Sequence, residues 1–322
     1  MQKTGGSSFT LTLPKKWTTQ NGLKSKDTVS VYPQGLNSLL IRVNGSLLPQ
    51  RAQISLTNLT PDMITRETMA LYIAGADEIE FTSNRNLSQP ERSHIRQITQ
   101  KLMGFEMISE ASDKIVIHNI FDTAKLPITA TIDKMFITAQ AMFTDAIQAA
   151  LALDTKSAAD VTDRDHEVDK LYLTINRQFN ALLTDKVTES EIGLTRVDLN
   201  FYTRVARRIE RIADHAVKIT QTSQRATPPA NLKYHRKAAA ELNALLQSVQ
   251  LMIKNLDKSL AHQILTTDVE TLVKYKQQPS AQKSTTDVHL EISLDRVHAN
   301  ITNLAEATLD YVALRQINSL SA

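Results

Sequence analysis

Two pairs of acidic residues stand where a carboxylate is poorly hydrated. In ARRIERIADHAVKI, residues 206–219, the residues Ala206, Ile209, Ile212, Ala213, Ala216, Val217 and Ile219 form one apolar arc at about 100° per residue. Arg204, Arg207, Arg208, Arg211 and Lys218 lie across from it, yet Glu210 and Asp214, one turn apart, fall on the shoulder of the arc. In DRDHEVDKLY, residues 163–172, Asp165 and Asp169 repeat the spacing and fall on the same rotational shoulder relative to Val168. If the two helices pack antiparallel about a turn centred near residue 188, the pairs match in height to within about 4–5 Å at 1.5 Å per residue. Four carboxylates then converge on one patch. Like charges that close raise each other's pKa unless a cation neutralises them. An all-oxygen set, without cysteine and without Glu-x-x-His, suits divalent or trivalent Mg, Mn or Fe, and suits zinc less well. Asp163 and Glu167 project away, and His215 projects toward solvent or a neighbouring bundle. The competing reading is surface ion pairing, Lys218 with Asp214 and Arg207 with Glu210.

The elements that must carry these pairs form a helical region over residues 122–322, punctuated by Pro127, LTDKVTESE near 184–190, ATPPAN at 226–231 and QQPSAQK at 277–283. Met135/Phe136, Ala139, Met142/Phe143, Ala146 and Ala149 follow a 3,4 spacing, as do Val168, Tyr172, Ile175, Phe179 and Leu182. LDTKSAADVTDRDHEVDKLY (153–172) aligns with LDKSLAHQILTTDVETLVKY (256–275), and RRIERIADHAVKI with ISLDRVHANITNL (292–304). The expectation is two three-helix bundles, 122–226 and 227–322, the second with a shortened middle helix. Its acidic motif is degenerate: Asp268 and Asp295 survive, but Leu272 and Ala299 stand where Asp169 and Asp214 stand. One metal-competent face is therefore expected.

Ahead of the helices, residues 49–121 read strand–helix–strand–helix–strand–strand. Pro61 opens the first helix and Gly75 caps it; Ser88 and Glu91 form a capping box for the second, which is expected to close on Gly104. Residues 1–48 read as short strands around one helical turn, KKWTTQNGL, closed by Gly22. So small a sheet buries little, and strands from a second copy would complete it.

Composition narrows the function. The 322 residues carry a net charge of +3, but residues 1–51 hold Lys3, Lys15, Lys16, Lys24, Lys26, Arg42 and Arg51 against Asp27 alone. A basic head on a mildly acidic body points to an anionic partner. With no cysteine, disulfides and thiolate chemistry are excluded, which fits the cytoplasm. No apolar run approaches the ~18 residues of a membrane span, so no membrane insertion is expected. Zinc-protease, nucleophile-elbow and dinucleotide-binding signatures are absent, which argues against an enzyme.

RRIERIADHAVKI is similar to the repeated signature of the PhoU family, and RDHEVDKLY resembles its companion acidic motif. The resemblance covers residues from about 122 to the end. It implies tandem three-helix bundles, multinuclear metal clusters and regulation of phosphate uptake and phosphate-responsive signalling without catalysis. Carried over by position, the metal ligands are Asp165, Asp169, Glu210 and Asp214. GGSSFTLTLPKKWTTQNGLKSKDTVSVYP resembles the AbrB/SpoVT family of DNA-binding swapped-hairpin dimers through Leu13-Pro14-Lys15, Gly22-Leu23 and Asp27, although Lys26 replaces a glycine of the usual run. Gly5-Gly6 with LPKKW is similar to the head of archaeal PhoU-domain proteins. These resemblances imply a homodimer whose Lys3, Lys15, Lys16, Lys24 and Lys26 contact DNA, giving a transcriptional regulator of phosphate homeostasis. The alternative is an adaptor that leaves DNA alone and docks on a phosphate transporter ATPase or a sensor kinase.

Overall fold

The computed structural model describes residues 2–4, 8–34, 38–43, 49–224, 229–267, 273 and 283–320. Gly5, Gly6, Asp268 and Leu272, with parts of the 226–231 and 277–283 punctuation, lie outside the described residues. The chain divides into two compact units, residues 1–48 and 49–322.

In the first unit β1 (Gln2–Thr4) pairs antiparallel with β2 (Ser8–Thr10), and β3 (Val29–Gln34) pairs antiparallel with β4 (Ser38–Val43). Between the two hairpins lies α1 (Lys15–Gln20). Gly22, at φ 64°, turns the chain out of this helix as expected.

The second unit opens with a four-stranded sheet in the order β5-β6-β8-β7: β5 (Arg51–Ser55), β6 (Glu78–Thr82), β8 (Lys114–Asn119) and β7 (Phe105–Glu110). β5 and β6 are parallel and the other pairs antiparallel. The parallel pair is joined by α2 (Pro61–Ala74), the crossover that a parallel connection needs. α3 (Gln89–Gln100) links β6 to β7. Ile79 and Phe81 face the helices, while Glu78 and Glu80 on the other side pair with Arg51 and Lys114. Thr60 caps α2 and Ser88–Glu91 closes the capping box of α3. Gly104 does not end α3, contrary to expectation. The helix stops at Gln100 and is capped by Lys101 in a right-handed conformation, and Gly104, at φ 82°, serves the turn into β7.

The helical part contains α4 (Ile128–Ala152), α5 (Thr155–Leu183), the single turn α6 (Glu189–Ile192), α7 (Arg196–Thr220), α8 (Leu232–Asn255), α9 (Lys258–Thr266) and α10 (Thr285–Leu320). The 3,4-spaced residues face inward: Met135, Met142, Phe143, Ala146, Val168, Ile175 and Leu182 are all fully buried. One continuous apolar core runs from α4, α5 and α7 into α8, α9 and α10, so the two halves do not have separate interiors. The same corner is built twice. α4 ends on Leu153 at φ 55° and α8 on Leu256 at φ 52°, a left-handed backbone that costs a leucine about 1–2 kcal/mol. Asp154 and Asp257 then cap the next helices through the N–H groups of Lys156, Ser157 and Leu260. These four residues occupy matched positions in the aligned segments LDTKS and LDKSL.

Candidate metal centre

α5 carries Asp165 and Asp169, and the neighbouring α7 carries Glu210 and Asp214. On α7 the apolar arc is buried as its periodicity requires, and Glu210 is buried with it at 8% exposure. Asp165, Asp169 and Asp214 are half-buried, whereas Asp163 and Glu167 are exposed, as their projection implied.

The four acids feel one another. Burial, together with the charges of Asp169, Asp214 and Glu210, pushes the Asp165 carboxyl up to about 7. Burial and Asp214 push Glu210 up to about 7 as well, against the opposing pull of Arg207 and Arg211. Asp169 is raised by burial and by Asp214. Asp165 Oδ1 and Glu210 Oε2 are buried without a hydrogen-bond partner. An unpaired buried carboxylate oxygen costs free energy on the order of 1–3 kcal/mol or more, and a cation would relieve it.

Among the described residues, no three His, Cys, Asp or Glu side chains stand as a group that could hold a metal ion. The physical reason is on α7 itself. Arg211 Nη1 donates to Asp214 Oδ2 at 2.8 Å and its Nε stands 3.6 Å from Glu210 Oε2; Arg207 Nη1 lies 3.5 Å from Glu210 Oε1. Both acids of α7 thus pair with arginines of their own helix. Of the two ion pairs expected from spacing, Arg207–Glu210 is present, and the partner of Asp214 is Arg211 in place of Lys218.

Two neighbours of the acids were not visible in the spacing. Lys101, at the end of α3, acts on both Asp165 and Asp169 and opposes their rise. Lys170, beside Asp169, donates to the Gln100 carbonyl at 3.2 Å, which holds the end of α3 against α5. His215 faces the neighbouring helices: burial, Lys218 and Arg296 of α10 push its imidazole down to about 4, so it is neutral at pH 7.

In the first unit Lys15, Lys16, Lys24 and Lys26 are exposed. Lys3 lies on β1 opposite Phe9, and its side chain is outside the described residues. Lys26, which replaces a glycine of the AbrB-like run, has φ 77°, so the lysine adopts the left-handed backbone that glycine would have supplied. Asp27 braces that turn by accepting from the Lys24 N–H at 2.7 Å. Phe9, Leu11, Val31 and Leu39 are exposed.

The PhoU domain family model matches residues 132–222, a segment that holds α5, α6, α7, most of α4 and all four acids. A solved structure similar to the chain is titled "Crystal structure of PhoU from Pseudomonas aeruginosa"; it is 17% identical, with 58% of this chain and 95% of that chain covered, at a TM-score of 0.47. No curated protein matches the chain. Among the described residues no helix is long and apolar enough to cross a membrane.

Proposed function

We propose that this chain is a phosphate-responsive regulator of phosphate uptake and homeostasis, cytoplasmic and without catalytic activity. In this reading Asp165, Asp169, Glu210 and Asp214 hold one or more divalent or trivalent ions, with Mg, Mn or Fe favoured over zinc. The observation that carries it is the pair of buried oxygens on Asp165 and Glu210 that lack a hydrogen-bond partner, set among two further acids inside the segment that matches the PhoU domain. An ion held by these four carboxylates would add positive charge beside those oxygens and would offer a hard centre to a hard anion.

The head dimerises and its lysines contact DNA, about ten charges per dimer when Lys3, Lys15, Lys16, Lys24 and Lys26 are doubled. The helical faces engage a phosphate transporter ATPase or a sensor kinase. The exposed Phe9, Leu11, Val31 and Leu39 favour self-association of the head whether or not DNA is bound.

Two measurements on the full chain test this reading. Calorimetry of chelator-treated protein with Mn²⁺ should show stoichiometric binding that Asp165→Asn/Glu210→Gln abolishes; equal binding by the variant would refute the assigned ligands. DNA retention across a salt series should fall with a log–log slope of several units and be lost in Lys15→Ala/Lys16→Ala. Retention at the background of any basic protein would leave the head as a dimerisation device and the chain as an adaptor.

A further inference from the structure

A cavity of about 580 Å³ lies between α5, α7 and α10, lined on α7 by residues that precede Glu210. Arg204, Arg207 and Arg208 line it from one side, Tyr172 stands on α5, and Asn303 and Glu306 come from α10. Three arginines within two turns of one helix repel one another, and Glu306, exposed at the rim, leaves this lining net positive by two.

The arginines are poorly neutralised elsewhere. Arg208 has no ion-pair or hydrogen-bond partner among the described residues. Arg204 reaches Asp310 at 3.1 Å, but both side chains are about half exposed, so the pair contributes little. Arg207 pairs with Glu210 Oε1 only at 3.5 Å, at the limit of a hydrogen bond, and is held more closely by Tyr172. Its guanidinium lies 5.4 Å over the Tyr172 ring and its Nη1 donates to the Tyr172 hydroxyl at 3.2 Å. Having accepted that bond, the hydroxyl keeps its own proton to donate. The cavity therefore presents three guanidinium forks and a phenol O–H to a space with few acceptors.

We propose that this cavity binds the phosphoryl group of a small anionic ligand. Guanidinium forks match the paired oxygens of a phosphoryl group and bind them bidentately. The volume is that of a small-molecule pocket, roughly 300–1,000 Å³, and exceeds what a bare tetrahedral anion fills, so it accommodates an organic body as well as inorganic phosphate. The inference goes beyond the metal reading and does not need it, because none of the proposed contacts passes through an ion.

The test is calorimetry on the full chain kept in chelator, titrated with inorganic phosphate in one arm and with adenosine monophosphate in the other. Binding in either arm is expected, weakened at least tenfold in Arg208→Gln, which is about 1.4 kcal/mol, and less in Arg208→Lys, which keeps the charge but loses the fork. Tighter binding of phosphate identifies the free anion as the ligand, and tighter binding of the nucleotide identifies a phosphomonoester. No binding of either by about 10 mM, a range that already spans weak affinities, would overturn the proposal. So would Arg208→Gln binding within twofold of wild type while retaining the wild-type melting curve. Because metal is absent throughout, failure of the metal reading leaves this outcome unchanged.

Discussion

Arg177 is the residue whose loss should be felt most sharply. It sits on α5 at 5% exposure and reaches into the end of α2. Its Nη1 donates to the carbonyls of Tyr72 at 2.8 Å and Ala76 at 2.7 Å, and its Nη2 to Asp77 Oδ1 at 3.0 Å. The first two bonds satisfy carbonyls at the C-terminus of α2, where the helix dipole favours a cation. The rings of Tyr72 and Phe105 flank the guanidinium at 5.0 and 5.5 Å. Arg177→Met keeps much of the stem packing and removes all three bonds; the Tyr72 carbonyl keeps the Gly75 N–H at 3.0 Å and Asp77 keeps Lys186 at 3.7 Å, while the Ala76 carbonyl loses its guanidinium donor. Hydrogen bonds made by a charged group contribute about 1.5–3 kcal/mol each, a sizeable part of the 5–15 kcal/mol that holds a typical domain. Urea unfolding of the full chain should show that loss, and amide exchange should show the C-terminal turn of α2 unprotected before α4 or α7. Asn180→Ala, which removes one neutral bond to the Ile73 carbonyl at 2.9 Å, should cost about 1 kcal/mol. A loss below about 1 kcal/mol for Arg177→Met, or one equal to that of Asn180→Ala, would refute the claim that this guanidinium holds the sheet unit to the bundle.

The remaining predictions concern charge. In metal-free protein, Asp165→Asn should raise Tm near pH 7.5. The wild-type carboxyl titrates higher folded than unfolded, so its presence destabilises progressively as pH rises from about 4 to 7; with saturating Mn²⁺ the order should reverse, and a variant that melts lower in both states would refute the reading. A second acid response belongs to the buried pair His235–Asp287, joined at 2.7 Å between Nε2 and Oδ1. Burial alone would raise Asp287, but bonds from Ser284, His235 and the Ala230 N–H outweigh it and hold the carboxyl at about 2. That stability is present above the unfolded value near 3.8 and is lost as pH falls from about 4 toward 2. His235 is pushed down by burial, so stability also declines as pH falls below about 6.5. Asp287→Asn should flatten a Tm–pH curve between about pH 4 and 2, and an unchanged slope there would count against the assignment.

Much of the architecture was legible because it follows from periodicity. The apolar arcs of α4, α5 and α7, the Gly75 cap and the Ser88–Glu91 capping box each depend on residues within a few positions of one another, and all stand as read. The shoulder placement of Asp165, Asp169, Glu210 and Asp214 was legible for the same reason. What spacing cannot supply is the rotamer a side chain takes when an arginine three residues away competes for it. Arg211 therefore took Asp214, and the expected single patch is not drawn around a point. Contacts between distant segments were equally invisible. Nothing near Arg177 says that the carbonyls it serves lie about a hundred residues earlier, and nothing near Lys101 says that it faces Asp165. Gly104 misled because a glycine a few residues beyond a helix reads as its cap, when the turn into β7 was what required it.

Those long-range contacts change how the middle segment should be understood. α5 has two faces in use at once. One carries Asp165 and Asp169 toward α7; the other gives Leu173 to the core of the sheet unit, Thr174 to the Tyr72 hydroxyl at 3.2 Å, and Arg177 and Asn180 to the end of α2. Lys186, just beyond α5, adds a bond to the Gly75 carbonyl at 2.5 Å, and a Cβ on Gly75 would come within 3.2 Å of its Nζ. The sheet unit is thus fastened at both ends of the contact: by α2 to the C-terminal half of α5, and by Gln100 and Lys101 to the turn that bears the acids. Lys101 already partly offsets the negative charge of Asp165 and Asp169. Any change in that charge therefore also alters a force on the end of α3, smaller than the one on α7. Through Lys101, the sheet unit thus takes part in the electrostatics of the acidic site.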